Sequence, residues 1–589
     1  MPTPSSAPSR QAGLFAPVFA LRHKGDLGVG DTESVRRMVD VCARWGFRVL
    51  QVLPINETSG DNSPYNAISS CALDITTLAA EPGLLPGLTP DARREVCPDD
   101  LAADLGRGPV AYAKVKAIKW QLAREAFAGF QTERADFATE GREFEVFCRD
   151  EREWLEPYAL FRALMADHDD SPMWESWRPE CRTLKSAMEW VAELPVVERR
   201  RLDVKCRFYQ FVQWVLYRQW ESVQKHAALH GVALMGDIPF GLSRSSADVW
   251  ARPQQFDLEW SGGAPPEPFF QPDPFTQQWG QNWGVPLYQW AAMEADGFSW
   301  WRRRVRQTAR IFKMFRIDHV LGFYRVFSFP WQPRDNARFI GMGEAEARAL
   351  AGDVPRFLPR DDHSEENRQA NRRDGEKILR ILQEAAGDAV IVAEDLGVVP
   401  VYVRPSLLEL GISGFKIPLF ERDDATREYK DPADYPELTL ATLSTHDHET
   451  LKGTWEGWWA KIERDWGRGV IKQGDEGLAQ DAREASWEIY RLLRFAGLDD
   501  SRLVREFEPA VHQAACRQLL ECPSWLAVLT VTDFFALDLR FNVPGPVSES
   551  NWSERLPFSV DELAAGKVRP DLIFGLAEWL RESGRLGRG

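Results

Sequence analysis

Long hydrophobic runs are missing from this sequence. Its apolar residues make up 44% of 589, yet they fall in short runs, none near the ~20 consecutive residues that cross a membrane as a helix. Paired cysteines are missing as well. The eight present are scattered, with no CxxC pair and no metal-ligand spacing. Buried free thiols are expected, rather than a disulfide scaffold or a metal site. Basic charge is in deficit. A formal net charge of −16 argues against a nucleic-acid partner, because such affinity rests on Lys and Arg neutralising phosphates. The opening residues MPTPSSAPSRQAG are polar and hold no apolar core of a signal peptide. They predict a loose lead-in and a cytoplasmic location. No Gly-rich phosphate cradle, internal repeat or heptad array is present, so no cofactor is expected.

Tryptophan, by contrast, is abundant, with 24 residues. A sugar ring presents C–H faces rimmed by hydroxyls, and aromatic rings can stack on such faces while a few polar groups fix the rim. Most of these rings serve the core, as large aromatics usually do.

Short apolar runs recur along the chain and read as parallel strands buried on both faces. They are LFAPVFAL (14–21), RVLQVLPI (48–55), GVALMGD (231–237), IFKMFRID (311–318), AVIVAED (389–395), SGFKIPLF (413–420), LTLATLST (438–445) and WLAVLTVTD (525–533). Between the first two, Asp31 can cap a helix whose Val35, Met38, Val39, Cys42 and Trp45 keep helical spacing, and Gly46 suits its end. Eight strands alternating with helices predict an α/β fold, a (β/α)8 TIM barrel.

The spacing is uneven. Residues 56–230 separate the second and third strands, far beyond an ordinary crossover. Three stretches there mix apolar residues at helical spacing with charge: KVKAIKWQLAREAFAGF, EFEVFCRDEREWLEPYALFRALMADH and VKCRFYQFVQWVLYRQWESVQKHAALHG. The chain therefore divides into 1–55 with strands one and two, a mostly helical insertion at 56–230, and the rest of the barrel at 231–589. Two loop insertions are expected in that last part. Segment 261–284 is rich in Pro, Gly and Gln, which argues against helix or strand, and 335–375 is polar and charged, with short helices.

Four acids stand where apolar runs stop: Asp237 in LMGDIPF, Asp318 in FRIDHVLG, Glu394 in VAEDLG and Asp447 in STHDHET. A parallel barrel gathers the C-terminal ends of its strands on one face, so these carboxylates converge. Two carboxylates flanking a glycosidic bond can cleave it, one as nucleophile and one as proton donor. Arg316, two residues before Asp318 on the same strand face, is placed to hold that acid ionised.

The order GDLGVGD, LPINETSGDNSPY, WLEPYALF, GDIPF, SADVWARPQQF, GAPPEPF, GQNWG, FRIDHVLGF, VAEDLG, STHDH, NVPGPVSESNW resembles glycoside hydrolase family 77, the 4-α-glucanotransferases of the α-amylase clan. The resemblance covers most of the chain. It implies Asp318 as nucleophile, Glu394 as general acid/base with a raised pKa, and Asp447 as a third acid that grips ring hydroxyls. It also implies sugar contacts by Tyr65, Asp237, Trp283, His319 and His446, and by Arg316 beside the nucleophile. For His319 a supporting role at the strand end is the alternative. The implied reaction retains configuration and moves glucosyl or maltooligosaccharide units between α-1,4-glucans through a covalent glycosyl-enzyme, without a metal. The implied partners are maltose, maltodextrin or another α-1,4-glucan, with no nucleic acid or membrane, and oligomeric state is left open.

Two departures stand out. EPFFQPDPFTQQW (267–279) is longer than the family pattern and adds Phe269, Phe270 and Phe275, while Pro546 replaces the family's usual Thr. The longer segment is expected to fold over the acceptor side. Two other readings remain: a hydrolase using the same acids, and a non-catalytic glucan-binding barrel, a class that usually lacks at least one of them.

Overall fold

The structure, a computed structural model, describes residues 9–586 apart from 133–135, 268–272, 424, 467–479 and 546–549. Phe269, Phe270 and Pro546 lie outside the described residues. In chain order the strands are β1 (Gln11–Phe15), β2 (Val49–Gln51), β3 (Ala233–Ile238), β4 (Phe256–Ala264), β5 (Gln281–Tyr288) and β6 (Met314–Ile317). They continue with β7 (Val326–Phe329), β8 (Arg356–Leu358), β9 (Val390–Ala393), β10 (Gly414–Lys416), β11 (Thr439–Thr442) and β12 (Leu526–Thr530).

Eight of these form one parallel sheet in the order β10-β11-β12-β1-β2-β3-β6-β9. Its two edges meet where Val392 bridges Ser413 in parallel and the Ala393 amide donates to the Ser413 carbonyl at 2.7 Å. The sheet thereby closes into a (β/α)8 barrel. Its strands are the eight apolar runs of the sequence, each almost wholly buried, as expected when helices cover the outside and side chains fill the inside. The first strand differs from its expected span. It runs Gln11–Phe15, and Val18–Ala20 forms a 3-10 turn, because Pro17 has no amide hydrogen for the ladder.

The crossover helix Thr32–Trp45 follows its sequence signals. Asp31 accepts from the amides of Glu33 and Ser34, and Gly46 ends the helix at φ 90°. Between β2 and β3 the chain forms seven α-helices among the described residues, from Pro90–Val96 to the long Val196–Leu229. The stretch of helical spacing at 143–168 falls on two helices, Ala138–Asp150 and Arg152–Ala166, with Glu151 between them outside helical geometry. Residues 56–89 are extended or turn, with one short 3-10 helix.

The expected loops hold a second sheet. Strands β5-β4-β7-β8 pair antiparallel, β4 and β5 following barrel strand β3 and β7 and β8 following β6. Segment 261–284 is therefore strand, helix Pro274–Trp279 and strand, and 335–375 contains β8 and the start of helix Glu365–Ala386. Sequence signals misled here because Gly262, Gly263, Gly284 and Pro286 occupy strands that carry register shifts, where such residues are tolerated. Beneath this sheet lies a small separate core of Phe275, Trp279, Phe329, Trp331 and Phe339, with the Trp331 and Phe339 rings stacked at 3.7 Å. Among the described residues, no helix is long and apolar enough to cross a membrane.

Candidate active site

The acids meet because of strand register. Asp237 on β3 pairs with Arg316 on β6, and Arg316 pairs in turn with Val392 on β9. Side chains alternate along a strand, so Asp318 shares the face of Arg316. Ile317 pairs with Ala393, which puts Asp318 and Glu394 side by side as the next residues of two neighbouring strands. Gly236 is required beside Asp237, since a Cβ there would lie 2.4 Å from the Phe312 ring.

Arg316 is the hub. Its Nη2 donates to Asp318 Oδ1 and to the Tyr65 hydroxyl, each at 2.8 Å, and its Nε donates to Asp237 Oδ2 at 2.9 Å. The Tyr65 hydroxyl donates to Asp237 Oδ2 at 2.7 Å. Burial raises that phenol well above its ordinary pKa, so it stays protonated as a donor. Asp237 is only 5% exposed, and its Oδ1 is buried without a partner.

His319 sits in the left-handed region at φ 42°, and its amide donates to Glu394 Oε2 at 2.6 Å. A non-glycine residue in that conformation is strained, and such strain gathers at functional sites. Burial, with Arg325 nearby, lowers the His319 pKa to about 4, so the ring is neutral at pH 7. Trp283, 38% exposed on β5, meets that ring edge to face at 4.8 Å.

On the opposite wall, the Tyr65 and His446 rings stack at 5.1 Å, with Trp552 5.9 Å from Tyr65. His446 Nε2 lies 3.0 Å from Asp447 Oδ2, without hydrogen-bond alignment. Asn542 Nδ2 donates to Asp447 Oδ1 at 2.6 Å, and Arg540 Nη2 donates to the Asp447 carbonyl at 2.9 Å. Burial by itself would raise Asp447, but His446, Asn542 and His448 outweigh it and hold the acid below the usual carboxylate range.

The other two acids behave differently. Burial pushes Asp318 up to about 8 against the pull of Arg316, with Glu394, Asp237 and Asp447 adding to the push. Burial also raises Glu394, opposed by Arg316 and the His319 amide. Arg316 does contact Asp318 as expected, but its charge is divided among Asp318, Asp237 and Tyr65. It therefore does not keep Asp318 ionised unaided. Four carboxylates and one guanidinium leave the pair Asp318–Glu394 titrating together and holding a proton near neutrality.

All nine residues singled out from the sequence thus gather at one place, in two sets of contacts: Tyr65, Asp237, Arg316, Asp318, His446 and Asp447 in one, and Trp283, His319 and Glu394 in the other, joined where Asp318 precedes His319. Sequence reasoning missed Asn542, Arg540 and Trp552. Their segment ends no strand, so the rule of acids at strand ends passes over them, although Asn542 and Trp552 bound the motif NVPGPVSESNW.

The profile of glycoside hydrolase family 77, described as 4-alpha-glucanotransferase, matches residues 16–560. A 4-alpha-glucanotransferase of Chlamydia caviae is 28% identical over 570 residues, covering 94% of this chain and 91% of that protein. A 4-alpha-glucanotransferase of Thermus thermophilus is 30% identical over 550 residues, covering 90% and 92%. The structure of amylomaltase from Streptococcus agalactiae in complex with acarbose superposes with a TM-score of 0.71 at 22% identity, covering 98% of this chain and 99% of that one.

Proposed function

The chain belongs to glycoside hydrolase family 77, the 4-alpha-glucanotransferases, and on that premise we propose which residues carry the transfer. Asp318 attacks the anomeric carbon of an α-1,4-linked glucosyl unit. Glu394 gives its proton to the departing 4-oxygen, and the C1–O4 bond breaks as the C1–Oδ bond to Asp318 forms. The ionised Glu394 then takes a proton from the 4-hydroxyl of an incoming glucan. That oxygen attacks C1, Asp318 departs, and the configuration is retained.

The observation that carries this reading is the register of β6 and β9. Neighbouring strands lie about 4.8 Å apart, so two carboxylates at facing positions stand near the ~5–5.5 Å separation of retaining enzymes rather than the wider gap that admits a water. Asp447, held ionised by Asn542 and His446, is suited to grip ring hydroxyls of the distorted sugar. Tyr65 offers a ring beneath the donor glucose, braced by His446 and Trp552. Asp237 and Arg316 fix Tyr65 and Asp318 relative to one another. Trp283 and His319 form the wall toward the acceptor. Maltose, maltodextrin or a longer α-1,4-glucan fits this set of groups as donor and acceptor. Residues 56–230 are read as a helical subdomain that braces the barrel, and a cytoplasmic location is part of the same proposal.

Digestion of maltotriose distinguishes transfer from hydrolysis. A ladder of longer glucans beside glucose is expected on a thin-layer plate. Shortening without any longer product would overturn the assignment in favour of a hydrolase using the same acids.

A further inference from the structure

Asp40 on helix Thr32–Trp45 faces His226 near the end of helix Val196–Leu229 and His230 at that helix's C-cap. One ligand atom from each residue can be chosen so that all three lie within 4.8 Å of one another. We propose that these three side chains bind a divalent transition-metal ion of the zinc type. The helix Val196–Leu229 leads into the start of β3, whose far end carries Asp237. The cluster therefore lies on the face of the barrel opposite the acids and takes no part in their chemistry.

Three features set this apart from a chance meeting of polar groups. Histidines four residues apart on a helix present their rings on one face, the spacing by which helical zinc sites supply two nitrogens. The His226 and His230 rings are 4.2 Å apart. Next, His230 Nδ1 lies 2.9 Å from the His226 carbonyl. A carbonyl can only accept, so Nδ1 carries the hydrogen and Nε2 is the ring nitrogen turned toward Asp40. A backbone acceptor on the second ring nitrogen is the usual means of orienting a ligating histidine. Finally, His226 Nε2 and His230 Nε2 lie 2.6 and 3.9 Å from the same oxygen, Asp40 Oδ1. Ligands around a tetrahedral ion with bonds of ~2.0–2.1 Å are separated by roughly 3.3 Å, within reach of small rotations of these partly exposed side chains.

Two positive groups border the cluster: Arg36, whose Nη1 is 3.8 Å from Asp40 Oδ2, and Arg48, whose guanidinium lies beside Gly231. Arg36 is the one on Asp40. Its guanidinium is already held by two 2.7 Å hydrogen bonds to Glu33, while Asp40 Oδ1 shares a hydrogen with His226 Nε2 at 2.6 Å, the hydrogen an ion here would replace. Two imidazoles and one carboxylate suit zinc, nickel or copper better than magnesium or calcium. The remaining positions would be taken by water. An ion here would pin the crossover helix after β1 to the helix before β3, two elements distant in sequence, and stabilise the fold by linkage.

The test uses the full chain, freed of metal with a chelator and titrated with Zn2+ against a colorimetric chelator, beside His230→Gln and Asp40→Asn. About one equivalent is expected in the wild type, with binding weakened at least ~10-fold in each variant. Added Zn2+ should raise the wild-type Tm and leave that of His230→Gln unmoved, while the transfer activity of His230→Gln stays at the wild-type level. Equal binding in wild type and His230→Gln would overturn the site, because binding by the cysteines or other histidines persists in that variant. Absence of binding in all three would overturn it as well.

Discussion

The amide of His319 donates to Oε2 of Glu394 at 2.6 Å, so the residue after the proposed nucleophile orients the proposed proton donor on the neighbouring strand. His319 itself sits in the left-handed region at φ 42°. Glu394→Gln keeps an oxygen that can accept this hydrogen bond but has no proton to give. Substrates with good leaving groups should suffer least. An aryl maltoside with an activated leaving group should still form the glycosyl-enzyme, detectable by mass, where maltotriose does not react. Equal losses on the two substrates would show that Glu394 is not the acid.

Asp318→Asn replaces the attacking oxygen with a poor nucleophile, while the amide can still meet Arg316. Transfer between maltodextrins should fall by several orders of magnitude, the scale lost when a covalent catalyst is removed. A variant retaining a tenth of the wild-type rate would mean that another group attacks.

The pH profile follows from the shared proton. The productive form has Asp318 ionised and Glu394 protonated. Acid protonates both and base strips both, so kcat/KM should be bell-shaped with limbs that belong to the pair. Burial raises both groups, Asp318 to about 8, so the whole bell should sit above the ~4 of free carboxylates. Arg316 lowers both. Arg316→Met should thus move the acid limb upward and cost more activity at pH 5 than at pH 7. A profile in which the acid limb stays put would show that Arg316 does not set the charge of the pair.

Asn542→Ala removes the 2.6 Å donor to Asp447. A hydrogen bond to a charged group contributes about 1.5–3 kcal/mol, so a loss of roughly 10- to 100-fold in kcat/KM is expected, with the Tm little changed. Asn542→Asp should be worse, because it sets a second negative charge against Asp447. The measurement is steady-state kinetics on maltotriose beside a melting curve. A large fall in Tm with unaltered kinetics would assign Asn542 to the fold instead.

Two aromatics near the acceptor wall should separate cleanly. Trp283 is exposed and touches His319, so Trp283→Ala should raise the acceptor KM and the ratio of free glucose to transferred glucosyl units. Phe275 is buried in the small core under β4, β5 and β7. Phe275→Ala should destabilise that unit by about 3–5 kcal/mol, first seen as protease cutting near 264–280. If Trp283→Ala leaves both the acceptor KM and the product ratio unchanged, the acceptor contacts lie elsewhere.

Much was legible in the sequence for a physical reason. A strand buried on both faces has to be apolar, and it stops being apolar where it reaches solvent or chemistry. The runs ending at Asp237, Asp318, Glu394 and Asp447 therefore announced both the barrel and the acids before any contact was known. Caps were legible too, since Asp31 and Gly46 act through local geometry. The second sheet was not. Its strands β4 and β5 carry Gly262, Gly263, Gly284 and Pro286, which read as loop, and the pair is held by β4 joining β7 from more than sixty residues away.

What the sequence by itself determined is the set of reactive groups and the order of the strands that carry them. Only the tertiary structure decided their charge and company. Arg316 divides one positive charge between two acids and a phenol, and Asn542, ninety-five residues from Asp447, holds that acid ionised. These are long-range contacts in a place poor in water, where distance and burial set a pKa and local sequence does not.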